Sequence, residues 1–344
     1  MTEKSSEVYV RRFSFRPYEG TRRGRLYRIW SISWYWWKHQ WDRSRAVKIL
    51  FGFLMFTLIL TNMFILATKD LVLSTNPLTG MAFLTPMELM ENTLLSLVRG
   101  IVTFQTTFST DNGNGNGNGN GPFASTSFTV GGTSIFILIM LVLIGAGLIA
   151  DDISNQTNEI YYSKLEKYEY VIGKFGAFVI FGNIALVLPY IIEFFLLYMG
   201  IGGIDFVEAL PLLFHVVIFT EIITITYAAM ILAFSSLTKR RLYSGLAAFM
   251  LLFIISMIIP PLAFGESGEE GLQLLLDILT VLLLTSYILT GATTVEYASF
   301  QGSYTLNLAD GIGIDSWMVL GALGLYILIG LVIVIIQVYR RHSR

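Results

Sequence analysis

Residues Gly145–Ala177 read GAGLIADDISNQTNEIYYSKLEKYEYVIGKFGA, a polar stretch held between two strongly apolar ones. The apolar run Ile135–Ala150 stops at Asp151-Asp152, and the next begins only after Gly173-Lys174. Two apolar runs joined in this way predict two membrane helices connected on one face of a bilayer. Within the connection, Ile153, Ile160 and Leu165, with Tyr161, Tyr162, Tyr168 and Tyr170, interleave with acids, amides and lysines. That mixture suits a short helix or two lying along a membrane surface.

The rest of the chain is equally apolar. Its 344 residues are 54% hydrophobic and only 14% charged, with a mean hydropathy of +0.65, which excludes an ordinary soluble protein. There are no cysteines, so neither a disulfide framework nor a thiolate metal site is available. The three histidines, His39, His215 and His342, are too far apart in sequence to give a ligand spacing. Metal and redox chemistry are not signalled.

Residues Met1–Arg25 are polar and arginine-rich, without the apolar core of a secretory signal, and are expected in the cytoplasm. From Tyr27 the aromatics Trp30, Trp34, Trp37 and Trp41 follow at three- and four-residue steps, on one face of a helix, with Arg28, His39 and Arg43 largely off it. This predicts an amphipathic helix in the membrane plane, indoles at headgroup depth and bases toward anionic lipid. Its place directly before a spanning helix argues against a nucleic-acid surface.

The first spanning helix is expected over Ile49–Ala67, long enough for a ~30 Å hydrocarbon layer. An external region over 69–132 follows, with an apolar-patterned helix from Pro86 to Phe108 and a pure Asn-Gly alternation over Asn112–Gly121. No strand precedes that repeat and no Lys-Ser or Lys-Thr follows it, so it is a loop and not a phosphate cradle. Further helices are expected over Thr133–Ala150, Val171–Met199 with Pro189 as a kink, Ala209–Phe234 and Tyr243–Ile259. The basic Lys239-Arg240-Arg241 turn is placed inside, and the acidic GESGEEG loop after Pro260-Pro261 outside.

Leu272–Leu289 and Trp317–Val338 are both apolar enough to cross. The chain leaves its fifth helix outside and ends in the basic Arg340-Arg341-His342-Ser343-Arg344, so an odd number of crossings must follow. Trp317–Val338 is that crossing. Leu272–Leu289, with Asp277 inside it and the loop Gly291–Gly313 after it, is expected to dip in and return as a re-entrant hairpin spanning 265–313, or to lie in the outer half of the membrane. The expected architecture is an all-α membrane protein: a tail and interfacial helix over 1–46, then a six-helix domain over 47–344 with both termini cytoplasmic. Charge segregation supports it. Of the 23 Lys and Arg, 12 lie within Met1–Lys48, and among the other 11 only Lys69 and Arg99 fall on external segments.

The central stretch resembles the ABC-2 type permeases, the membrane subunits of ABC exporters. The likeness lies in the order of features: a small-residue helix end at Gly145, Ala146 and Gly147, an acidic pair, the segment Asn155-Gln156-Thr157-Asn158-Glu159-Ile160, then the helix start Tyr170–Phe175. Gln156 stands where the family usually has Gly, and Lys164-Leu165-Glu166-Lys167 replaces its Arg-Pro-like turn. The resemblance implies that residues 151–170 are a coupling helix seated in a groove of a separate ATPase. Ile160, Tyr161 and Leu165 would fill the groove, while Asp152, Glu159 and Glu166 would form an acidic rim, with Asp151 in the same coupling segment. It also implies a second permease subunit, with ATP and Mg bound by the partner. The plainer reading, an ordinary cytoplasmic loop, explains the composition but not the order.

No Gly-x-x-x-x-Gly-Lys-Ser/Thr occurs, so the chain has no phosphate loop of its own. Glu193 and Glu221 stand inside spanning helices and are candidates for a substrate path. In the plainer reading Glu193 reaches water near the outer end of its helix, and Glu221 bonds a hydroxyl such as Thr220 or Thr224. An ion-driven carrier would use the same carboxylates as relays, but no inverted repeat is visible. A membrane scaffold or enzyme has no catalytic cluster in its favour.

Overall fold

The computed structural model describes residues 24–74, 84–102, 133–155, 157, 161, 165–263, 271–291, 294–299, 302–307 and 314–342. The Asn112–Gly121 repeat, the acidic loop 265–270, the rim candidate Glu159 and the groove-filling candidate Ile160 lie outside them. The first described helix, α1 (Arg25–Arg43), is followed at once by α2 (Arg45–Val72), the break falling at Ser44, whose hydroxyl accepts from the Val47 N–H. The next described helix is α3 (Pro86–Arg99), which starts at a capping box between Thr85 and Glu88. Next come α4 (Thr133–Ser154) and α5 (Lys167–Gly182), then a π turn over Asn183–Val187 that leads into α6 (Leu188–Ile201). The helices α7 (Phe206–Leu237) and α8 (Arg241–Ala263) precede a 3-10 turn, Gly271–Leu276, and the short α9 (Ile278–Leu289). A β-hairpin of β1 (Thr294–Ser299) and β2 (Gly302–Asn307) leads to α10 (Ser316–His342).

Among the described residues, five helical stretches are long and apolar enough to cross a membrane: Arg45–Asp70, Ile135–Ser154, Lys167–Ile201, Phe206–Leu237 and Ser316–Arg340. α8 has 23 residues, with its apolar part over Arg241–Ser256. The long third stretch was expected to kink near Pro189, and just upstream of that residue it passes through a π turn. Proline has no N–H for the Ala185 carbonyl one turn back and its ring crowds that carbonyl, so the backbone widens into the π turn over Asn183–Val187.

One expectation is corrected. Gly291–Gly313 was read as loop, but within it β1 and β2 pair antiparallel in a register that sets Glu296 against Thr305 and Tyr297 against Tyr304. The stretch Thr294–Asn307 carries β-branched and aromatic residues, Thr294, Val295, Tyr297, Tyr304 and Thr305, that suit an extended backbone.

α7 is the central post. It packs on α4, α5, α8 and α10, and Phe219, Ile223, Tyr227, Ile231 and Leu232 along it are fully or almost fully buried. Close approach is made possible by glycines. A Cβ on Gly145 would lie 2.5 Å from Ile231 and from Phe178, and one on Gly182 would lie 2.2 Å from Thr224. α2 and α10 form the outside, with only 17% and 22% of their most apolar windows buried. Their apolar outer faces suit a lipid solvent.

Candidate functional site

The polar segment leaves α4 at Asp151-Asp152 and re-enters a helix at Lys167. Its two ends are tied together inside the protein. The Lys174 ammonium lies 2.7 Å from Oδ2 of Asp152, and both side chains are buried, 0% and 1% exposed. Asp152 has further partners: the Tyr170 hydroxyl donates to Oδ2 at 2.7 Å and the Thr157 hydroxyl to Oδ1 at 3.2 Å. On its other side the ammonium stands 3.0 Å from the ring centroid of Trp36 on α1, with Tyr170 at 5.3 Å and Tyr161 at 5.9 Å. Burying two charges costs several kcal/mol each, and here that cost is offset by the pairing, two hydroxyl donors and a cation–π face. Burial pushes the Tyr161 phenol above its usual range, the neighbouring Asp152 adding to the effect, so it stays neutral.

α1 is held on α5 by a second layer of contacts. Arg28 pairs with the fully buried Glu169 at 2.7 Å, and the Ser33 hydroxyl donates to the Gly173 carbonyl at 2.9 Å. The helices touch because Gly173 and Gly176 lack side chains: a Cβ on either would lie 2.8 Å from Ile32 or 2.6 Å from Ser33. At the edge, Arg25 meets Glu166 at 3.4 Å, with both side chains exposed. Asp151 faces Arg241 at 3.9 Å, and the Arg241 guanidinium also donates to the Leu143 carbonyl. Ser235 locks α4 to α7 by donating to Ala146 O at 2.9 Å and accepting from the N–H groups of Ile149 and Ala150.

The candidates named from sequence therefore separate. Asp152 faces inward to Lys174 where an outer acidic rim was expected, because the lysine beyond the segment folds back onto it. Tyr161 and Leu165 are half-buried and Glu166 is exposed. On α1 the tryptophan stripe is present. Trp30 and Trp34 are 58% and 47% exposed, with ring centroids 6.1 Å apart, and Trp37 follows at 4.8 Å from Trp34. Trp41 turns inward onto Phe51 and Phe181. Arg28, read as a base facing lipid, is instead committed to Glu169. Sequence reasoning missed Trp36, Arg28 and Lys174 as members of this site. The signal for Lys174 was its position, an isolated cation at the very start of an apolar helix.

The intramembrane carboxylates are not joined to each other by any hydrogen bond among the described residues. Glu193 is 1% exposed and sits beside the Asn62 side chain of α2, so the expectation that it reaches water is corrected. Glu221 is half-buried on α7. The hydroxyls of Thr220 and Thr224 donate to carbonyls of their own helix, Val216 O and Thr220 O, at 2.7 and 2.9 Å.

Two further polar nodes lie toward the other face. Arg99 at the end of α3 donates to Ser286 at 3.2 Å and Thr290 at 3.1 Å, and lies 3.8 Å over the Tyr287 ring, while His215 of α7 meets the same Ser286 at 3.3 Å. Asp277 caps α9, accepting from the N–H groups of Leu279 and Thr280 at 3.1 Å and from the Ser256 hydroxyl of α8.

The pattern of ABC-2 family transporter proteins matches the chain over residues 38–343, from within α1 to the end of α10. No curated protein matches it. With most of its length covered by that one family and its apolar helices packed around α7, this chain belongs to the ABC-2 family of transporter proteins and is a multi-pass membrane protein of an ABC transporter.

Proposed function

We propose that the chain is the permease subunit of an ABC exporter in the cell membrane, two such subunits lining the path and a separate subunit hydrolysing ATP with Mg. The chain crosses six times, through α2, α4, α5 with α6, α7, α8 and α10, with both termini cytoplasmic. At 12 residues α9 spans only ~18 Å at 1.5 Å per residue, which favours a segment that enters and returns. The break at Asp277, where a 3-10 turn meets a new helix start, supports the same reading, as its exposed backbone ends are covered by α8 and α10. α1 lies along the inner membrane surface with Trp30 and Trp34 toward lipid. Of the two intramembrane carboxylates, the half-buried Glu221 is the better candidate for the substrate path.

A single observation carries the ATPase partnership. The Asp152–Lys174 pair pins the start of residues 151–170 to the helix that follows them, which is costly for a mere connection and useful for a part that bears load. The middle of the segment docks on the ATPase through Glu159, Ile160, Tyr161, Leu165 and Glu166. Replacing residues 153–165 with Gly-Ser repeats, leaving Asp152 and Lys174 in place, should release a co-purifying ATPase while the permease remains folded in the membrane. Co-purification and ATP-driven transport that survive the replacement would refute the assignment.

A further inference from the structure

We propose that Lys174 is a positioning residue that locks α1, the 151–170 segment and the inner half of the third span into one moving body. Four parts of the chain meet at its ammonium: Trp36 from α1, Asp152 from the end of α4, Tyr161 from the segment, and Tyr170 from α5. The carboxylate that neutralises it is tied in turn to Thr157 within the segment and to Tyr170 at its end. A push on the segment therefore cannot move it without moving Trp36. The Ser33 to Gly173 hydrogen bond and the Arg28–Glu169 pair extend the same body along α1. It ends at Asn183–Val187, where the helix widens into the π turn and the ladder of hydrogen bonds changes register. Below that turn α5 travels with α1; above it α6 stays with the outer bundle, where Lys69 of α2 holds the Gly200 carbonyl at 2.8 Å.

This inference rests on the reading of 151–170 as the docking segment, and the two fail differently. The chain has no cysteine, so single labels can be placed freely. Spin labels at Lys38→Cys on α1 and Lys239→Cys beside α7, both exposed sites, report α1 against the central post. The full chain with its co-purifying ATPase, in lipid nanodiscs, is compared without nucleotide and after trapping with ADP and vanadate. The label distance should shift on trapping. Lys174→Met should abolish that shift while the ATPase stays bound, and Lys174→Arg should restore much of it. The Lys174→Met/Asp152→Leu pair removes both buried charges, so it should regain thermal stability without regaining the shift. A normal shift in that stable double variant would reduce Lys174 to a structural role and overturn the proposal. An absent shift in the unmodified chain would overturn it as well, as would ATPase release by Lys174→Met. If no ATPase binds the unmodified chain, the reading of the segment fails, and the proposal with it.

Discussion

At the scale of single residues, the buried charges decide most. Glu169 is fully buried and has Arg28 as its ion-pair partner. Arg28→Ala strands that carboxylate in a dry site, and should cost ~2–3 kcal/mol, at or below the usual range for breaking a buried pair because Arg28 is itself partly exposed. A thermal melt in detergent reads this, and a loss no greater than that of Arg25→Ala, at the exposed pair with Glu166, would contradict it. Glu193 presents the opposite case. Its Oε1 has no hydrogen-bond partner among the described residues, and an ionised carboxylate at such depth is costly. Glu193→Gln keeps the shape without the charge, so its melting temperature should equal or exceed that of the unmodified chain. Glu221→Gln should instead lower transport or substrate-stimulated ATPase activity at unchanged stability. Unchanged activity would return Glu221 to an ordinary place in the helix bundle.

At the scale of elements, helix contacts depend on missing side chains. A Cβ on Gly330 of α10 would lie 2.7 Å from the Ala229 carbonyl oxygen of α7, and backbone cannot rotate away as a side chain can. Gly330→Ala should therefore destabilise by ~1–3 kcal/mol as an overpacked contact. Gly52 on α2 has open space around its Cα, so Gly52→Ala should be neutral or stabilise by up to ~1 kcal/mol through helix propensity alone. Equal melting behaviour of the two variants would refute this account of how α10 meets α7. The cap at Asp277 is a second element-scale feature. Asp277→Ala removes the acceptor for two N–H groups at the start of α9 and should cost ~1–2 kcal/mol. Asp277→Asn, which can still accept, should cost less.

At the scale of the whole molecule, the prediction is the direction of each loop. With six crossings and a returning α9, cysteines introduced singly at Ser267 and Ser303 should both react with an impermeant thiol reagent from outside, and one at Lys239 only from inside. Labelling of Ser267 and Ser303 from opposite sides would make Leu272–Leu289 a true crossing.

How far each feature could be read from the chain follows from the range of the forces involved. The membrane class, the positions of the apolar helices, the tryptophan stripe on α1 and the polar excursion after Ala150 are written in hydropathy and spacing, because a bilayer selects for apolar length and a helix repeats every few residues. That Pro189 disturbs its helix was legible for the same local reason, a missing N–H. The β-hairpin was not, since short strands signal weakly beside long apolar helices. Nor was the inward turn of Asp152: its surroundings in sequence are those of a surface acid, and only the packing of α5 beside the end of α4 brings Lys174 and Tyr170 to it, with α1 adding Trp36 over the lysine. Periodicity assigns a residue to a face but does not name what that face will meet. Lys174, Trp36 and Asp152 come from separate parts of the chain, and their contact depends on glycines at 173 and 176 that let two helices touch, a condition that exists only once the fold has formed.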